Sequence, residues 1–224
     1  MPHQLPAGRH GLTRTFVVAH QRERILAAVA ETITDMGYGQ TAVEDIIACA
    51  GVSRRTFYDL FKNKEEAFLA AYDDGVERLF EAVTAAYAQE GPWPDRARNG
   101  LAAFLCGLAQ FPDLAHMCIV DVLAAGPTAL TRRDAAMQRF VDMIEEGRRE
   151  LPHVANIPAM AAQTVVGGIH EVIYARIVRN ETGTLPDLLP DLAYSMLLPF
   201  VGQDAALAEY RRLSTRAARA RRTA

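Results

Sequence analysis

The 224-residue chain is half hydrophobic and 23% charged, with a formal net charge of −3. That composition can bury a sizeable core without disulfides or metals, and it excludes disordered, collagen-like and low-complexity chains. No stretch approaches about 18 uninterrupted apolar residues and three cysteines occur without a CxxC, so we expect no membrane span and a reduced, cytoplasmic setting.

The small net charge conceals an uneven distribution. Residues 1–64 carry net +2, residues 65–208 net −10 and residues 209–224 net +5. The segments therefore say more about partners than the total does.

The apolar pattern is helical throughout, with no strand-like alternation bounded by hairpin turns. A first helix is predicted over 18–36, where Ile25, Leu26, Val29, Ile33 and Met36 form one stripe and Gly37 ends it. A second follows Thr41. Thr41 and Glu44 stand three apart, as a capping box requires, and Val43, Ile46 and Ile47 make the inner face. Gly51 ends this helix and Val52 anchors the turn. Ser53 caps a short third helix over 54–60. Asn63 and Glu66 then cap a fourth that runs to about residue 90, with Glu65 and Glu66 at the positive end of its dipole. Gly91, Pro92, Trp93 and Pro94 break the chain. Further helices are predicted over 95–110, 113–124, 128–150, 158–182, 186–201 and 204–219.

Residues 41–60 thus read as helix, tight turn, helix. In that layout the second helix enters a DNA major groove by its N-terminal end. The chemistry suits the task. Arg54 and Arg55 lie in the first turn, and Arg pairs bidentately with guanine O6 and N7. Thr56 can meet a base edge or a phosphate. Tyr58 can bring its hydroxyl to a phosphate while Phe57 and Leu60 face inward. Lys64 opens the fourth helix, where its ammonium and the free N–H groups suit a phosphate. Other roles stay open: Thr41 and Ser53 can serve only as caps, and Tyr58 only as packing.

The run from Gly51 through Ser53, Arg54, Arg55, Thr56, Phe57, Tyr58 and Phe61 to Lys64 and Glu66 resembles the DNA-binding signature of TetR-type transcriptional regulators. The likeness covers about residues 20–70. It implies an all-α chain with a helix-turn-helix head and a larger helical bundle for effector binding and dimerisation. The divisions would be an N-terminal arm (1–17), the head (18–66) and the body (67–224) with its Arg-rich terminal helix. The resemblance places Thr41, Ser53, Arg54, Arg55, Thr56, Tyr58 and Lys64 at the DNA face. Some family members carry a small residue where Arg55 stands, so the operator can differ. The implied function is a ligand-responsive regulator, most simply a repressor. It would bind a (pseudo)palindromic double-stranded operator as a homodimer and be released by a small apolar or amphipathic effector.

In the body, apolar helices with scattered polar groups can enclose a ligand cavity. The candidates are Phe104, Gln110, His116, Met117, Asp121, Phe140, His170 and Tyr174, with Cys118 and Glu171 nearby. Each polar member can equally be a satisfied core or interface group. The pair His116 and Asp121, five apart, and the adjacent His170 and Glu171 do not match helical metal-ligand spacing, so no metal or other cofactor is expected. Gly167 and Gly168 inside a helix each cost about 1 kcal/mol against Ala, which suggests close approach of another helix or a ligand. With Leu188, Leu192, Met196 and Leu197 they form a candidate dimer interface; the other reading is that these helices close the monomer core. The N-terminal arm, with Arg9, Arg14, Arg22 and Arg24, can follow DNA or be a solubilising tail. The terminal cluster Arg211, Arg212, Arg216, Arg219, Arg221 and Arg222 is either a nucleic-acid patch or a counter-charge to the acidic body. An enzyme is the main rival class, but the chain has no GxSxG, P-loop or GxGxxG after a strand.

Overall fold

The computed structural model describes residues 14–151 and 157–223. The described residues are helical, without a strand. The DNA-arm reading of Arg9 lies outside them. Three helices form the head: α1 (Arg14–Met36), α2 (Val43–Ala50) and α3 (Arg54–Leu60). The long α4 (Lys64–Tyr87) leads into the body, which holds α5 (Trp93–Gln110), α6 (Pro112–Ile119), α7 (Pro127–Arg148), α8 (Ala161–Val178), α9 (Leu189–Val201) and α10 (Gln203–Thr223).

The head core follows from helical spacing. Ile25, Val29 and Ile33 repeat every four residues on α1 and are fully buried against Ile46, Phe57 and Phe68. The predicted ends of the short elements are largely kept, with one exchange of cap. The N-cap of α2 is Ala42, and the Asp45 carboxylate accepts its N–H at 2.8 Å. Thr41 and Glu44 do not form the expected box, because the Thr41 hydroxyl turns back and donates to the Gly37 carbonyl at 2.9 Å. Ser53 and Asn63 cap α3 and α4 as their side chains predict, accepting from the N–H groups of Thr56 and Glu66.

The body departs from the sequence reading at its breaks. The helix expected over 113–124 stops at Ile119 and tightens into a 3₁₀ turn over Asp121–Ala124. His116 Nδ1 lies 2.7 Å from Asp121 Oδ2 and staples the two pieces. The helix expected over 158–182 is α8, and Asn180, at φ 59°, turns the chain out of it. A second 3₁₀ segment, Thr182–Leu188, contains Pro186, so α9 begins later than residue 186.

Two apolar clusters divide the interior. One fills the body around Trp93, Leu105, Ile173, Leu185 and Phe200. The other joins the head to Tyr72 of α4, to Met117 and Cys118 of α6, and to Val122 and Ala129. Helix α6 belongs to both: Ala115 and Ile119, one turn apart, face the body, while Met117 and Cys118 face the head. Among the described residues no single helix is long and apolar enough to cross a membrane.

Candidate nucleic-acid interface and internal cavity

The turn between α2 and α3 is set by Gly51, whose φ of 59° lies in the left-handed region that glycine enters without a Cβ clash. Its N–H closes on the Ala48 carbonyl and that of Val52 on Ile47. Arg24 of α1 donates to the carbonyls of Ala50 and Gly51, placing a cation at the C-terminus of α2. That contact fixes the angle at which α3 leaves. Arg24 is therefore a structural clamp of the reading head, engaged across more than 20 positions of sequence.

Helix α3 buries Phe57 completely and presents the opposite side outward. Arg54, Arg55, Ser53 and Tyr58 are exposed and Thr56 is half-exposed. Arg55 is almost fully in solvent, with Asp59 Oδ2 3.7 Å from its Nε. Arg54 pairs with Glu44 at 2.9 Å and lies over the Tyr58 ring, with both charged side chains largely exposed. Such surface pairs are weak and exchange readily for a phosphate or base. The hydroxyls of Ser53 and Thr56 lie 2.8 Å apart. These five residues form one outward face, further flanked by exposed Arg22 and Lys62.

Two expected members of that face sit elsewhere. Thr41 is buried, with its hydroxyl held by Gly37, so it shapes the loop before α2 rather than facing outward. Lys64 Nζ donates to the Tyr38 carbonyl at 2.6 Å and the Thr41 carbonyl at 2.7 Å, and packs on the Tyr38 ring. Burial pushes its ammonium below the usual lysine range. One of its three N–H donors remains for a phosphate.

The body holds a cavity of about 120 Å³ between α4, α5, α7 and α8. Its wall is almost wholly apolar. Phe104, Phe140 and His170, expected from the sequence, line it. Gln110 is exposed at the end of α5, Met117 is packed toward the head, and Tyr174 packs on the body core away from the cavity wall. His116 and Asp121 satisfy one another, and burial raises the Asp121 carboxyl against the opposing effect of that hydrogen bond. None of these five lines the cavity. Tyr72, Leu79 and Arg133 line the cavity without having been singled out, because they come from α4 and α7, far apart in sequence. Cys118 also lines it, and burial pushes its thiol up to about 12.

The candidate dimer residues separate as well. Leu192, Met196 and Leu197 are buried in the body core and Leu188 packs against it, so the monomer-core reading holds for them. Gly167 and Gly168 are exposed, and a Cβ on either would meet nothing within 4 Å. In the C-terminal cluster, Arg212 pairs with Glu209, which also accepts from Arg98 of α5. Arg211 and Arg216 are exposed.

Comparison with known proteins agrees with this geometry. Residues 25–71 match the family model described as bacterial regulatory proteins, tetR family. The HTH-type transcriptional regulator EthR of Mycolicibacterium smegmatis is 24% identical over 169 residues, which cover 73% of this chain and 77% of that one. The HTH-type transcriptional activator FasR of the same organism is 29% identical over 99 residues, covering 44% of this chain and 45% of its own. Among solved structures, the transcriptional regulator FadR of Bacillus subtilis in complex with stearoyl-CoA superposes with a TM-score of 0.69 at 18% identity, covering 81% of this chain and 98% of that one. The head of this chain is a TetR-family DNA-binding domain, and the chain as a whole has the fold of the TetR-type transcriptional regulators.

Proposed function

We propose that the protein is a homodimeric repressor that binds a (pseudo)palindromic operator and is released by a small apolar or amphipathic effector. The observation that carries this reading is the exposed first turn of α3, with Arg54, Arg55 and Thr56 displayed behind a glycine turn that Arg24 clamps. Two such helices related by a dyad would enter successive major grooves about 34–36 Å apart. The exposed side of α8, with Gly167, Gly168, Val172 and Val178 around Glu171, offers a surface on which a second copy could close a helix pair.

The effector half of the reading rests on the cavity. An apolar enclosure of about 120 Å³ resembles in size engineered cavities that accept benzene. A longer ligand would have to displace its walls. Tyr72 and Cys118 belong both to the cavity wall and to the apolar cluster of the head. Ligand-induced displacement would therefore reach the head through α4 and α6. Its effect on DNA binding is limited to the ligand's differential affinity for the two arrangements. The FadR structure that holds stearoyl-CoA supports an acyl chain as the apolar portion.

The test is selection of genomic DNA fragments by wild-type protein and by an Arg54→Ala, Arg55→Ala double variant. The variant should lose sequence-specific binding, by at least about tenfold, while staying folded. Retained specific binding would mean that α3 is not the reading helix. FasR is named an activator, so the sign of regulation is a separate measurement: transcription in vitro from the selected operator should fall on adding the protein.

A further inference from the structure

One group in the cavity wall does not fit a wholly apolar ligand. Arg133 of α7 lines the cavity, and its Nε–H is buried without a hydrogen-bond partner. Among the described residues its ion pair is with its sequence neighbour Asp134, at 2.9 Å, and that carboxylate is 72% exposed. A pair so open to water holds an arginine weakly. A guanidinium offers five N–H donors, and a buried donor left unmade is costly.

The charge of the wall is equally one-sided. No carboxylate lines the cavity among the described residues, and Arg133 is its only permanent charge. Of the other ionisable wall groups, burial pushes the Tyr72 hydroxyl and the Cys118 thiol up, and the His170 imidazole is held down to about 4 by burial and then by Arg133. Near neutral pH the imidazole is therefore uncharged. An apolar chamber with a single half-desolvated cation selects for a negative charge at one end of an otherwise apolar molecule.

Building on the effector cavity proposed above, we infer that the ligand is an amphiphile with an apolar chain and an anionic head, and that the Arg133 guanidinium holds that head. The apolar wall of Leu79, Phe104, Met137 and Phe140 takes the chain. The head is either a free carboxylate or the anionic carrier of an ester or thioester, since both present oxygen acceptors to a guanidinium.

Calorimetric titration with decanoate, decanoyl-CoA and decanol tests this, on wild-type protein and on Arg133→Gln and Arg133→Lys. The wild type should bind at least one of the two anions about tenfold or more tighter than the alcohol, a difference typical of one charge-assisted contact. Arg133→Gln should bring that anion down to the level of the alcohol and leave the alcohol unchanged. Arg133→Lys should keep part of the preference, because it keeps the charge and loses the fork. Which anion carries the preference separates a free acid from a carrier-bound one. Equal binding of anions and alcohol by the wild type, or a preference that survives Arg133→Gln, overturns the inference and leaves the cavity reading standing. Binding of none of the three overturns the cavity reading and this inference together.

Discussion

Gly147 of α7 has no side chain because Trp93 occupies the space one would need. A Cβ there would fall 1.7 Å from two indole atoms, and the indole is 2% exposed with little room to retreat. Gly147→Ala should lower stability by about 1–3 kcal/mol through overpacking, read as a lower urea midpoint with an unchanged slope. His170 makes a second residue-level prediction. Its folded value of about 4 lies below the usual value near 6.5, so the native state resists protonation. The stability linked to His170 is fully present above about pH 6.5 and is lost as pH falls from there toward 4. His170→Leu should flatten that part of the stability profile, and an equal loss in variant and wild type near pH 5 would refute it. The contrast between these residues and the head shows what a sequence can display. Ser53, Asn63 and Gly51 were legible because a cap or a left-handed turn acts within three or four positions. Lys64 and Arg24 were not, because the carbonyls that hold them come from loops 23 to 27 positions away. Thr41 had the residue type of a cap, but its hydroxyl had a closer acceptor in Gly37.

Helices α4 and α7 meet along the cavity through charged pairs on their outer edge. Arg139 holds Glu77 with two hydrogen bonds, of 2.9 and 3.2 Å, and stacks over Phe80 at 3.7 Å. Arg132, two turns before Arg139 on α7, pairs with Asp73, one turn before Glu77 on α4. The Arg139 contact keeps the Glu77 carboxyl below the usual carboxylate range. Inside this seam lie Val76 and Leu79 on one side and Ala136, Met137 and Phe140 on the other, all lining the cavity. Parting the seam would enlarge the enclosure. Arg139→Ala should therefore speed amide exchange along α7 and raise the association rate of a decanoate-sized ligand. Unchanged exchange across α7 would place the opening elsewhere. The helices themselves were readable from proline and glycine breaks. Their mutual arrangement was not, because apolar stripes on α4, α5, α7 and α8 look alike until packing selects which faces meet. The same limit explains the fate of Leu192, Met196 and Leu197. Their spacing marks a buried face but cannot say whether the burying partner is the same chain or a second one.

For the whole molecule, assembly and charge act together. The exposed side of α8 combines two glycines and Glu171 with Val172 at 39% and Val178 at 50% exposure. Val172→Glu should shift the mass at micromolar concentration from two chains to one and weaken operator binding with it, since each head would then bind alone. A wild-type mass of one chain would exclude this pairing. The net charge of −3 also reads differently once placed in the fold. The acidic excess belongs to residues 65–208, whereas the outward face of the head bears Arg22, Arg54, Arg55 and Lys62. Attraction to phosphates is screened over about 8–10 Å at physiological salt, so on the proposed reading this local face, and not the total charge, would govern contact with DNA.

The double membership of α6 has a consequence for the portability of the head. A fragment ending at residue 66 would remove Phe68 and Tyr72, together with Met117, Cys118 and Val122, from the cluster that encloses Ile25, Ile33 and Phe57. It would keep every residue of the outward face and lose the floor beneath it. Grafting residues 18–66 onto another scaffold should therefore transfer the contacts without the rigidity that aims them. A functional chimera would need its junction beyond α6, so that the reading head travels with the helix that connects it to the cavity.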